Sequence, residues 1–136
     1  MHVTADDRAA IAELIALHGH LCDDGDLEGL DAAFTTDVLY DVTALGGGVL
    51  EGLAGLRDAA LTLGDANPVG HHVTNVVIRE TPDGGVRARS KGLGVNADGT
   101  VGSVTYDDTL VDTGGGWRIS HRVVTPRNVA LGGRRT

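Results

Sequence analysis

Apolar residues follow a helical rhythm up to about residue 63 and a strand rhythm after Pro68. Near the start, Ile11, Leu14, Ile15, His18 and Cys22 fall on one stripe at about 100° per residue, with Arg8, Glu13 and His20 outside it. Thr4, followed by Asp6 and Asp7, supplies a cap and acids for the first turn, so a helix is predicted from there to about Cys22. Asp23-Asp24-Gly25-Asp26 ends it. Asp26 can cap a second helix, Leu27 to about Phe34, and Leu53 to Leu63 has the spacing of a third. Between them, Val38 to Val42 has the composition of a short strand, and Gly46-Gly47-Gly48 is a flexible loop that can flap or merely turn the chain.

After Pro68 four strands are predicted, at about 70–81, 86–97, 101–113 and 117–125. The turn signals between them, Pro82-Asp83-Gly84-Gly85, Asp98-Gly99 and Gly114-Gly115-Gly116, are short enough for hairpins. The order of elements implies an α+β domain in which three N-terminal helices cover one face of a curved, mostly antiparallel sheet. Gly92 and Gly94, in mid-strand, predict a bulge or a close approach of a ligand to the backbone.

Chain length adds that 136 residues make one domain, able to bury about two thirds of its unfolded surface. The formal charge of -8 argues against nucleic acid or an anionic membrane as partner, since both require basic clusters. The single cysteine, Cys22, excludes an intrachain disulfide and a cysteine-based zinc site. The start lacks the pattern of a signal peptide and no stretch reaches about 18 apolar residues, so a soluble cytoplasmic protein is expected. Only Phe34, Tyr40, Tyr106 and Trp117 are aromatic, which makes each polar aromatic conspicuous near a pocket.

The candidate chemistry centres on Gly70-His71-His72-Val73-Thr74-Asn75, polar positions inside a strand that should be central. Alternation puts His71, Val73 and Asn75 on one face and His72 and Thr74 on the other, so only one histidine can enter an enclosed pocket. His71 is the expected one, with His18 facing it from the helix stripe and Asp23 at the cavity mouth. A carboxylate beside an imidazole fixes the ring's tautomer and favours its cation, which suits a general base. Such a base contributes about 10²–10⁴ in rate, enough to remove a moderately acidic C–H without a metal. Each of these residues also has a bland reading: a packed core histidine, a solvated helix-end acid, a strand-end asparagine. A histidine metal site is not expected, because His18/His20 and His71/His72 diverge at their spacings. The glycine loop lacks a following Lys-Ser/Thr and is not a phosphate cradle.

The chain resembles the SnoaL-like domains of the nuclear transport factor 2-like superfamily, relatives of scytalone dehydratase, bile acid 7α-dehydratase, hexachlorocyclohexane dehydrochlorinase, ketosteroid isomerase and several polyketide cyclases. The resemblance rests on Ile11-Ala12-Glu13-Leu14-Ile15, His18 and Asp23-Asp24-Gly25-Asp26, then on Phe34 to Asp41, Glu51-Gly52 and His71 to Asn75. Tyr106-Asp107-Asp108 and Trp117 to Arg122 complete it. It implies a cone-shaped sheet enclosing one pocket, a catalytic Asp23–His71 dyad with Asn75 nearby, and an arginine at Arg122. His18 stands where those relatives carry Tyr or Lys.

Strict alternation from Trp117 turns His121 toward that face and Arg122 away, so both cannot enter the cavity without a bulge. Arg122 is favoured by the resemblance, and His121 is held as its substitute. The expected reaction is removal of the proton α to a carbonyl of a small apolar substrate by His71. Tyr40 or His18 then supplies a proton or hydrogen bond, while Asn75, Tyr106, Trp117 and His121 are candidates for binding. Loss of water would make a dehydratase, reprotonation elsewhere an isomerase, and attack on a second carbonyl a cyclase; no cofactor is expected. The competing reading is a non-catalytic ligand-binding or dimerisation module. The resemblance further implies a homodimer.

Overall fold

The computed structural model describes residues 2–135. Helix α1 spans Ala5–Asp23 and opens on a capping box: Thr4 Oγ1 accepts the Asp7 N–H at 3.0 Å while the Asp7 carboxylate accepts the Thr4 N–H at 2.9 Å. Its buried stripe holds Ile11, Leu14, Ile15, His18, Gly19 and Leu21. Gly19 is required there. A Cβ at this position would stand 2.5 Å from the carbonyl oxygen of His71, so its absence lets the helix lie directly on a strand.

The expected second helix is a six-residue 3-10 turn, Leu27–Ala32, capped by Asp26 through the Gly29 N–H at 3.0 Å. Gly29 is the reason for its tightness, since a Cβ there would meet Asp26 at 2.7 Å and Leu21 at 2.8 Å. Phe34 therefore opens a strand instead of ending a helix. Strand β1 is Phe34–Asp41, β2 is Val49–Glu51, and helix α2 is Gly52–Leu63. Strands β3 (Gly70–Glu80), β4 (Val86–Val95), β5 (Val101–Asp112) and β6 (Trp117–Pro126) form the expected antiparallel meander.

The sheet order is β2-β1-β6-β5-β4-β3, with β1 and β6 the one parallel pair among the described strands. Because β1 adds to the free side of β6, the meander's last strand becomes interior and its first, β3, remains an edge. The strand carrying His71 is thus not central as the sequence suggested. Its position is fixed instead by α1, which packs across β3 and β6 on the concave face. The core lies there, around Ile11, Ile15, Phe34, Val38, Val86, Leu110 and Ile119.

Two bulges set which side chains enter that concave face. On β6, Leu110 pairs with Ile119 and Thr109 with His121, leaving Ser120 as the extra residue. Trp117 and Ile119 before it, and Arg122 and Val124 after it, are all buried. On β3, Thr74 pairs with Lys91 and Val77 with Arg89, so Asn75 and Val76 together oppose Ser90. Asn75 adopts φ 59°, in the left-handed region. The two β4 glycines serve different purposes. The β4–β5 register is continuous, and a Cβ on Gly92 would strike the Tyr106 ring at 2.5 Å, so Gly92 makes room for a tyrosine, while Gly94 lines the pocket beside His71.

Candidate active site

Asp23 is the last residue of α1, and its carboxylate lies 2.7 Å from Nδ1 of His71. The same carboxylate accepts the His71 backbone N–H at 2.9 and 3.1 Å. A carboxylate only accepts, so His71 donates through Nδ1–H, and Nε2 is left with a free lone pair. The pair is accessible: the side chains keep 28% (Asp23) and 20% (His71) of their exposure.

Deeper in, His18 packs among aromatic rings, its centroid 5.2 Å from Phe34, 6.2 Å from Tyr40 and Tyr106, and 6.4 Å from His71. Nδ1 of His18 is 2.9 Å from Nη1 of Arg122. Burial, then the charges of Arg122 and His71, push the His18 pKa well below the usual histidine value.

Arg122 and Asp108 are both fully buried and form a two-pronged pair, Nε to Oδ1 at 2.7 Å and Nη2 to Oδ2 at 2.9 Å. Burial opposes the guanidinium charge, but the adjacent Asp108 carboxylate outweighs it and holds the pKa above that of an ordinary arginine. The guanidinium also stacks on Tyr106, with Cζ 4.1 Å from the ring centroid, and lies 5.7 Å from that of Tyr40. Burial raises the pKa of both phenols, so Tyr40 and Tyr106 are protonated at neutral pH.

His71 borders two spaces. One is a cavity of about 230 Å³ walled by Tyr40, Val42, Leu45, Val104, Tyr106 and Val124. The other is an outer groove of about 680 Å³ between the end of α1 and residues 64–69, where Cys22 and Asp23 reach the surface. Of the dyad, His71 lines both spaces and Asp23 the groove alone. Cys22 is held unreactive: burial, then the Asp23 charge, raise its thiol to about 11.

Of the sequence candidates, Asp23, His71, His18, Tyr40, Tyr106 and Arg122 are brought together. Three are not. Trp117 is buried at the far end of α1, where its Nε1–H donates to Asp7 at 3.0 Å, some 16 residues or about 24 Å of helix from Asp23. Asn75 is exposed on the convex face, because the β3 bulge turns it away from His71, and its Oδ1 accepts from Thr74 at 2.6 Å. His121 also faces outward, beside Leu39 and Thr109, since the extra Ser120 gives its inward place to Arg122. Asp108 was not singled out from the sequence as a site residue. Its signal was present: it shares the inward phase of Tyr106 and Leu110, where an acid requires a buried partner.

Residues 3–123 match the SnoaL-like domain family. No curated protein sequence matches the chain. Among solved structures, an NTF2-like protein with a cystatin-like fold from Novosphingobium aromaticivorans is 27% identical (TM-score 0.73, 93% of this chain and 85% of that one). A cystatin-like fold protein of unknown function from Nostoc punctiforme is 23% identical (TM-score 0.79, 96% and 98%). ActVI-ORFA from Streptomyces coelicolor is 22% identical (TM-score 0.71, 90% and 98%). At these identities the last two speak to the fold.

Proposed function

The chain belongs to the SnoaL-like domain family, and from the groups gathered in its cavity we propose that it is a cofactor-independent enzyme of the lyase or isomerase type. The observation that carries this reading is the Asp23 carboxylate 2.7 Å from Nδ1 of a half-buried histidine that borders a small cavity. Held by Asp23, His71 presents Nε2 as the base that takes a proton from the carbon next to a carbonyl. The apolar walls admit a small, largely apolar carbonyl compound. The volume falls below the about 300–1,000 Å³ common for drug-sized ligands. The Tyr40 and Tyr106 hydroxyls, on residues that line the cavity, meet the oxygen on which negative charge develops.

Dehydration is the favoured outcome; isomerisation and cyclisation share its first step. The test is deuterium exchange at the α-carbon of a simple cyclic ketone, followed by NMR. Wild-type protein should accelerate it, and His71→Ala should lose about 10²–10⁴ of the acceleration. No acceleration by the wild type across a panel of such ketones favours the non-catalytic binding module.

The protein also acts as a homodimer on this reading, paired through the convex face of the sheet. There Val77, Leu93 and Val101 are exposed, 64, 40 and 62% respectively. A monomer by sedimentation at high concentration sinks that part. Among the described residues no helix is long and apolar enough to cross a membrane.

A further inference from the structure

Two histidines stand with ring centroids 6.4 Å apart, and their partners are of opposite kinds. His71 faces a carboxylate, which can only accept; His18 faces a guanidinium, which can only donate. An arginine side chain stays charged in proteins, so Nδ1 of His18 must supply a lone pair to Arg122 Nη1, and the ring's single proton sits on Nε2. That arrangement leaves His18 no second proton and no free lone pair.

We infer that Asp108 is a positioning residue which, through Arg122, locks His18 as a neutral Nε2–H donor and leaves His71 as the one histidine of the site free to take up and return a proton. Asp108 does not line the cavity beside His71; it is wholly buried and takes both prongs of the guanidinium at 2.7 and 2.9 Å. With Nε and Nη2 held there, Arg122 directs Nη1 to His18 at 2.9 Å. The other groups facing His18 do not compete for Nδ1. They are Tyr40 from β1, His71 from β3, Tyr106 from β5 and Cys22 one turn along α1, and the structure gives none of them a hydrogen bond to the ring.

This assignment rests on the lyase or isomerase reading and narrows it. In a dehydration, the α C–H bond breaks, its electron pair forms the enolate, and the proton passes to Nε2 of His71. The tyrosines that line the cavity, Tyr40 and Tyr106, donate hydrogen bonds to the enolate oxygen, and His18 behind them gives up no proton, since loss of Nε2–H would create an imidazolate. The enolate pair then forms the C=C bond as the C–O bond breaks, and the hydroxyl leaves as water with the proton returned by His71. In an isomerisation the same proton returns to another carbon. Removal and return occur on one face of the substrate.

The experiment is ¹⁵N NMR of the imidazole rings between pH 5 and 9, with each ring assigned by its own substitution. His18 in the wild type should keep Nδ1 bare and Nε2 protonated throughout. A proton on Nδ1, or titration of His18 between pH 5 and 8, overturns the lock. Asp108→Asn should abolish the single-tautomer signature. An unchanged His18 spectrum in folded Asp108→Asn overturns the role of Asp108. If that variant does not fold, Asp108→Leu combined with Arg122→Met removes both charges together, a replacement that buried ion pairs tolerate, and should show the same loss.

Ketone exchange should depend on pH through one ionisation, giving a single-limbed profile, and Asp108→Asn should slow it by up to about 10²-fold. A bell-shaped wild-type profile would mean a second proton carrier and overturn the one-carrier assignment. The two readings fail separately: wild-type protein without exchange activity but with His18 locked refutes the enzyme and keeps the lock.

Discussion

Two carboxylates each hold a basic side chain at or behind the cavity, and the two pairs differ in almost every physical respect. Asp23–His71 sits at a mouth open to water and joins an acid to an imidazole, which can hold a proton on either ring nitrogen. Asp108–Arg122 has no solvent contact and joins an acid to a guanidinium, which keeps its charge. Exposure lets the first change charge at little cost, because water screens whichever state is present. Burial forbids change in the second, because either charge alone would be stranded in a poor dielectric. The comparison separates moving a proton from holding a field, and it assigns each task to the pair whose surroundings permit it.

The sharpest test of that contrast is stability. Asp108→Ala strands Arg122 and should cost about 3–5 kcal/mol in denaturant unfolding. Asp23→Ala, which loses partly exposed hydrogen bonds, should cost about 1 kcal/mol. Equal losses would dissolve the distinction. Activity should rank the pairs by a different criterion: His71→Ala should abolish most ketone exchange while leaving the unfolding midpoint nearly unchanged.

A third test uses pH. Below about pH 6.5 the unfolded chain takes up a proton that folded His18, its pKa depressed by burial and by Arg122, refuses. The unfolded state then binds more protons, so stability falls with falling pH by about 1.4 kcal/mol per unit until His18 protonates in the fold. His18→Gln should flatten the stability curve between about pH 6 and 5. The smallest effect concerns Cys22, whose thiol is held at about 11 by burial and then by Asp23. Iodoacetamide should label it slowly at neutral pH and faster in Asp23→Asn, where the neighbouring charge is gone.

Local periodicity revealed much of the fold. The stripe on α1 and the four meander strands were legible because helix and strand rhythms operate over a few residues, whereas the pairing of Asp23 with His71, 48 residues apart, was implied by the family resemblance. Other long-range relations were not legible. Nothing in Phe34 to Asp41 announces a parallel partner 85 residues later, and without that pairing β3 looked central when it is an edge. Bulges were equally hidden. A strict ladder outward from Asp112–Trp117 would set His121 opposite Asp108, and one extra residue replaces it with Arg122. Trp117 was misplaced for a simpler reason: a scarce aromatic near a motif looks like a pocket wall, although its indole donates to a helix-cap acid.

The bulge at Ser120 also bears on how such a protein can change. Loss of that single residue would leave Ile119, His121 and Arg122 opposite Leu110, Thr109 and Asp108 in an unbroken ladder, the pairings they already have. The arginine would keep its inward place and the histidine its outward one, and only the local twist that a bulge adds would go. A Ser120 deletion that still folds should therefore keep the wild-type pH profile. The spare residue makes β6 tolerant of shortening at that point.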